Sequence, residues 1–242
     1  MEGEIMKKLI YAFSLIALIS LVSCEKIDHS VNQKITYYPT LELEGDEFMA
    51  IDRNSTYEEP GYKAVLNGVD VTDQVIVDSD LDETTSGLYT ITYSVANEDG
   101  FSNTATRTVA VFDPADPIEG LWHNTSDSYR DYDDGATQSK AAFGAEFTVV
   151  IIGQGDGVYE VDDLFAGWYA QRAGYGSTYA MGGTIKVDGS AVTCLDAYIP
   201  GWGDSIDSFT GVYTGSEISY DVSYAGSMTF CITLEKDLFL KV

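Results

Sequence analysis

Hydrophobic and polar positions alternate with a period of two through most of this chain. Tyr89, Ile91, Tyr93 and Val95 are separated by Thr90, Thr92 and Ser94, the pattern of a strand with one buried face. Asn97-Glu98-Asp99-Gly100 follows as a turn, and Thr106 to Phe112 returns as the second arm of a hairpin. Upstream, the short runs Leu41 to Leu43, Phe48 to Ile51, Tyr62 to Leu66 and Val75 to Val77 are separated by Gly, Asn and Asp. Strands this short and this closely spaced predict a β-sandwich over 37–112. Asp113-Pro114-Ala115-Asp116-Pro117 interrupts the pattern with two prolines in five residues, which predicts a linker at 113–117.

The alternation resumes from Ile118 to Val242. Candidate strands are Gly120 to Asn124, Ala145 to Ile152, Gly157 to Leu164, Tyr179 to Val187, Ala191 to Ile199, Ser208 to Tyr213, Ile218 to Tyr224 and Met228 to Glu235. Turns at Gly153 to Gly157 and Val187 to Ser190 join neighbours. Eight meandering strands predict an antiparallel up-and-down barrel or a two-sheet sandwich over 118–242. The fold class is therefore all-β throughout.

The N-terminus departs from this pattern. Lys7 and Lys8 precede an apolar run from Leu9 to Leu21, then Val22, Ser23 and Cys24. The run is about a dozen residues, short of the roughly 20 that span a bilayer, and matches a secretory signal over 1–23. Leu21-Val22-Ser23-Cys24 resembles the lipobox of bacterial lipoproteins. That resemblance implies cleavage before Cys24, acylation of its thiol, and attachment of the protein to a lipid bilayer. Residues 24–36 are polar and read as a tether.

Two further resemblances bear on the mature chain. Thr56-Tyr57, Pro60-Gly61, Val71-Thr72-Asp73-Gln74-Val75, Gly87 to Tyr93 and Thr104 to Val109 resemble the Ig-like modules of the HYR/cadherin-like kind in Bacteroidetes surface lipoproteins. This implies an Ig-like sandwich acting as a spacer. Glu119-Gly120-Leu121-Trp122 resembles the opening strand of lipocalin-like barrels, which implies that Trp122 plugs one end. The two-module layout is similar to lipoproteins that accompany SusC/SusD-type glycan-uptake systems. It implies an outer-membrane, cell-surface location, with SusC/SusD-type proteins as candidate partners.

Composition narrows the chemistry. With 13 basic and 39 acidic residues the formal net charge is −26, which repels nucleic acid, so none is expected as a partner. The two histidines, His29 and His123, lie in no nucleophile motif, and no phosphate-binding loop is present. The chain is read as non-catalytic and without a cofactor. The turn at Asp131, Asp133 and Asp134 is a candidate for calcium, set against an ordinary acidic loop; the cluster Asp70, Asp73, Asp78, Asp80 and Asp82 reads as a solvated acidic edge. Apart from Cys24, the cysteines are Cys194 and Cys231. In an oxidising compartment they pair as a disulfide, or they stay as free thiols packed like small hydrophobes.

Aromatics beside glycines are the strongest candidates for binding. Gly167-Trp168-Tyr169 and Gly201-Trp202-Gly203-Asp204 place large rings at loops or strand ends, with Tyr175, Tyr179 and Tyr198 nearby. A sugar ring offers C–H groups on one face and hydroxyls at its edge. Trp168, Tyr169, Tyr198 and Trp202 are candidates for the face and Asp204 for the hydroxyls. The competing role for each ring is core packing. The alternative function is an accessory subunit of an outer-membrane complex with no small ligand.

Overall fold

The computed structural model describes residues 35–237. The signal sequence, the candidate lipidation site Cys24 and most of the tether lie outside the described residues.

The first module comprises β1 (Thr40–Leu43), β2 (Phe48–Asp52), β3 (Tyr62–Leu66), β4 (Val69–Asp70), β5 (Ile76–Ser79), β6 (Gly87–Ala96) and β7 (Ser102–Phe112). A three-stranded sheet β1-β3-β4 faces a four-stranded sheet β2-β7-β6-β5. The predicted hairpin is β6–β7, in register from Gly87↔Val111 to Ala96↔Ser102. Ile91, Tyr93, Val95 and Val109 point inward against Leu41, Ala64 and Val71, as the alternation requires. The core also holds a charge that the polar triplet Thr106-Arg107-Thr108 conceals. Arg107 is fully buried. Its guanidinium pairs with Glu59 and donates to the Tyr57 hydroxyl and to the carbonyls of Glu44 and Asp46. Every arm of the fork has an acceptor, which makes the burial of this charge tolerable.

The second module comprises β8 (Gly120–Asn124), β9 (Tyr129–Asp133), β10 (Gln138–Ala142), β11 (Thr148–Gly155), β12 (Val158–Val161), β13 (Gly182–Asp188), β14 (Ala191–Tyr198), β15 (Ser208–Tyr213), β16 (Glu217–Tyr224) and β17 (Met228–Lys236). Antiparallel pairing runs β8-β11-β12-β13-β14-β15-β16-β17 and returns to β8, closing an eight-stranded barrel. The seam is Leu234↔Asn124, Glu235↔His123 and Lys236↔Trp122, crossed by a 2.6 Å contact from His123 Nδ1 to Asp237 Oδ1. Barrel and sandwich were both open on sequence, and ring closure decides between them. Trp122 is 1 % exposed in the barrel core and donates through Nε1 to the Ile118 carbonyl at 2.8 Å.

Sequence periodicity misses the β9–β10 hairpin. Gln138-Ser139-Lys140-Ala141-Ala142 lacks an apolar face, and the acidic run before it looks like a loop. The hairpin nevertheless attaches to the first half of β17, from Met228↔Tyr132 to Cys231↔Tyr129. The strands expected to end at Leu164 and to begin at Tyr179 end and begin at Val161 and Gly182 instead. The segment between them carries the candidate site.

Residues from Tyr38 onward form one compact unit. The sequence from Val149 to Ile152 is apolar at four successive positions because both faces of β11 are covered. Val149 and Ile151 enter the barrel, while Val150 and Ile152 join Leu121 on its outer wall against Ala110 and Phe112 of β7. Arg53 Nη2 reaches Asp113 Oδ2 at 2.5 Å across the same junction. The stretch read as a linker is thus held on both sides.

Candidate functional site

The segment from Asp162 to Met181 is organised around a buried carboxylate and tied to the barrel by Gln171 and Arg172. Asp163, 2 % exposed, accepts the backbone N–H groups of Phe165 at 2.9 Å, Gly167 at 3.0 Å and Met181 at 3.0 Å. Burial pushes its carboxyl up to about 6 although the three donors pull the other way. Gly167 (φ +81°) turns the chain in the left-handed region, and a Cβ there would sit 2.5 Å from Phe147. A short helical turn, Trp168–Arg172, follows.

That turn sends its two aromatics to different places. Trp168 is 3 % exposed. It packs edge-on to Phe143 (4.9 Å) and Phe230 (5.8 Å), with the Arg130 and Arg172 guanidinium carbons 4.8 and 4.1 Å from its ring centre. It is a core residue and has no free face for a sugar, which corrects the expectation drawn from its glycine neighbour. Tyr169 is half-buried. It lies 4.7 Å from Trp202 at 88° and nearly parallel to Tyr175 at 6.3 Å.

Trp202 stands at the tip of a tight turn. β14 pairs with β15 only at Ala191 and Val192. The remainder of β14 leaves its neighbour and runs into a turn closed by Ile199 N–H to the Asp204 carbonyl and by Gly203 N–H to the Ile199 carbonyl, both 2.9 Å. Gly201 donates to the Thr178 carbonyl at 2.8 Å. It lies so close to Tyr179 that a Cβ would be 2.5 Å from the ring. Glycine there therefore seats the turn on Tyr179 as well as freeing the indole. Trp202 is 41 % exposed and contacts Tyr169, Tyr175, Tyr179 and Tyr224 at centroid distances of 4.7 to 6.3 Å. Tyr175 and Tyr198 are exposed beside it, at 55 % and 52 %. At the rim Asp204 accepts from the Tyr224 hydroxyl at 3.2 Å. Burial, then Asp204, pushes that phenol up to about 12.

The structure therefore brings Tyr169, Trp202 and Asp204 together, adds Tyr175, Tyr179 and Tyr224, and removes Trp168. Tyr175 and Tyr179 stand near the Trp-Gly turns in sequence, and Tyr224 ends the strand Glu217–Tyr224. Only the density of tyrosine around the Trp-Gly turns hinted at them.

The acidic turn has a local task. Asp134 Oδ1 accepts the N–H groups of Ala136 and Thr137, and Asp133 Oδ1 accepts that of Gly135. Asp131 lies on the outer side of β9, opposite Lys140. Among the described residues no three His, Cys, Asp or Glu side chains gather as for a metal ion. Cys194 and Cys231 are free thiols. Two strands, β15 and β16, stand between theirs, roughly 14 Å at the usual inter-strand spacing, against the 4.4–6.8 Å that a disulfide needs. Cys194 also faces the core, whereas Cys231 follows inward-facing Phe230 and points out, so the bridge does not form.

Comparison with known proteins follows the two modules. Residues 41–111 match a family described as bacterial surface protein, Ig-like domain, and residues 111–236 match a family described as a C-terminal domain. The crystal structure of the lipoprotein BT2262 from Bacteroides thetaiotaomicron is 36 % identical. The match covers 82 % of this chain and 100 % of that one, with a TM-score of 0.72. The CBM51-2 and INT domains of Clostridium perfringens ZmpB, solved with GlcNAc, are 13 % identical over 84 % of this chain and 45 % of that one. Their TM-score is 0.27, too low to bear on the site. No curated protein matches the chain.

Proposed function

Since this chain belongs to the family of the lipoprotein BT2262 and carries an Ig-like module of bacterial surface proteins, we propose that it is a lipid-anchored cell-surface protein, acylated at Cys24 in the outer membrane, that binds glycan without catalysis. The observation that carries this reading is Trp202. Leaving a large indole two-fifths exposed forgoes hydrophobic stabilisation. Here a tight turn and four tyrosine rings hold it in that position rather than letting it fold inward. A rigid, exposed aromatic corner with a carboxylate at its rim suits a sugar ring, its C–H face on the indole and its hydroxyls toward Asp204. The Ig-like module packs on the barrel wall through Phe112, Leu121 and Val150.

The test is a glycan panel probed with soluble protein starting at Glu25, with and without calcium. Binding that Trp202→Ala weakens at least tenfold, with near-UV circular dichroism unchanged, supports the reading. Binding that Trp202→Ala leaves intact removes this surface from the function.

A second reading, an accessory subunit of a SusC/SusD-type complex, draws support from β10. It ends the strand order of its sheet and offers an unpaired edge of the sort used in strand addition. Co-purification from gently solubilised membranes, lost when Ser139 is replaced by proline, is its test.

A further inference from the structure

We infer that Arg130 and Arg172 form an anion subsite beside the aromatic corner, so that the glycan taken there carries a carboxylate or sulfate group. The inference rests on the glycan reading for the identity of the ligand and on the following geometry for the site.

Arg130 lies on β9 opposite Phe230 of β17. Phe230 is fully buried in the barrel core, so Arg130 points inward too. Its guanidinium lies over Trp168 at 4.8 Å and faces the Tyr169 hydroxyl, while its Nε is buried with no acceptor. Arg172 approaches the same indole at 4.1 Å. Its Nε is tied to the Phe143 carbonyl at 2.9 Å, which fixes the fork, and the residue is exposed. Neither guanidinium has a carboxylate within ion-pair distance among the described residues, whose ion pairs are Arg53–Asp113, Arg107–Glu59 and His123–Asp237.

The chain's charge makes this arrangement informative. With three acidic residues for each basic one, a guanidinium can readily find a carboxylate, and Arg53 and Arg107 do so. Arg130 and Arg172 are instead stacked on an indole, which orients them without neutralising them. Fixed guanidiniums without a carboxylate partner are the groups that recognise carboxylate, sulfate or phosphate, and both of these lie within 5 Å of one indole ring centre. Tyr169 links the two halves of the surface: the Arg130 charge acts on its hydroxyl, which donates to Met228 Sδ at 3.3 Å, and its ring meets Trp202 at 4.7 Å. A sugar on Trp202 is thus one side chain away from the arginines. Elsewhere the net charge of −26 repels acidic glycans, so these two residues supply the local attraction such a ligand requires.

The experiment has two arms on the mature chain. In the first, sulfate replaces chloride at constant ionic strength and tryptophan fluorescence is followed. The wild type shows a saturable change, and Arg172→Gln, exposed and therefore safe for folding, weakens it at least fivefold. Arg130→Lys, which keeps charge but not the fork, weakens it as well. In the second arm, 3′-sialyllactose binds at least tenfold more tightly than lactose, and Arg172→Gln erases the preference. A sulfate response unchanged in both variants overturns the inference. So does equal binding of the two sugars, which leaves the glycan reading standing. A sulfate response lost in Arg172→Gln with no binding of either sugar upholds the anion site and counts against the glycan reading instead.

Discussion

Asp163 sets two physical effects against each other, and their balance is measurable. Its carboxylate is almost wholly removed from water, which favours the protonated form, while three backbone N–H groups favour the ionised form. Burial wins and the group titrates at about 6 in the folded protein, against 3.8 ordinarily. A raised folded-state value means that the native protein binds the proton more tightly than the unfolded chain. The stabilisation this brings is complete below about pH 4 and is lost as pH rises through 6. A shift of about two units corresponds to roughly 3 kcal/mol. Asp163→Asn removes the titration. Its Oδ1 can still accept from Phe165 and Met181, while its amide faces the Gly167 N–H, at a cost of about 1–3 kcal/mol for one unmade bond. The wild type should therefore gain about 3 kcal/mol over Asp163→Asn between pH 7.5 and pH 4. Urea unfolding followed by tryptophan fluorescence reads this directly, because Trp122, Trp168 and Trp202 are the chain's three tryptophans and all lie in the second module. Asp162 is also pushed up, to about 7, by burial first and in part by the neighbouring Asp163 charge, so its burial contribution is common to both proteins and only the Asp163-dependent part differs. A difference that stays constant with pH, or grows toward pH 7.5, would refute the reasoning. It would mean that the N–H donors outweigh desolvation.

Three further outcomes follow from the packing. Arg107→Ala removes a fully buried guanidinium from Glu59, Tyr57 and two carbonyls, leaves the exposed Glu59 to water, and should destabilise the Ig-like module by about 1–3 kcal/mol. Circular dichroism in urea will report this as an earlier loss of strand signal, and a change under 1 kcal/mol would contradict it. Gly201→Ala drives a methyl into the Tyr179 ring and should cost about 1–3 kcal/mol, with a shift in Trp202 emission as the turn lifts. Unchanged emission and stability would show that the turn is not seated on Tyr179. Val150→Asp places an unpaired charge between the barrel wall and β7, so small-angle scattering should show a longer maximum dimension than the wild type. An identical scattering curve would mean that this cluster does not hold the modules together.

Sequence patterning made the strands legible wherever one face is buried and the other is wet. Tyr89 to Val95 and Met228 to Leu234 are of this kind, and both are observed as strands. It failed where the physics is not periodic. The β9–β10 hairpin is polar on both faces and is held by pairing with β17 rather than by a core of its own. Barrel closure depends on Lys236 meeting Trp122, 114 positions away, a contact no local pattern encodes. The outward Val150 and Ile152 were visible as an unbroken apolar run, which signals burial on both faces but not against what. At the candidate site, Trp202 and Asp204 were legible from the Gly-Trp-Gly-Asp turn. Trp168 has the same glycine neighbour but is drawn into the core by Phe143, Phe230 and two arginines, and none of these is adjacent to it in sequence.

The most direct test is calorimetric titration of the best glycan from the panel into wild type, Trp202→Ala and Trp168→Phe. An exposed Trp202 that stacks on sugar and a buried Trp168 that makes no sugar contact, its place beneath the arginines filled by the phenyl ring, predict at least a tenfold loss for Trp202→Ala and an affinity within twofold of wild type for Trp168→Phe. Retained affinity in Trp202→Ala would contradict the account, and the aromatic corner would then have no part in binding.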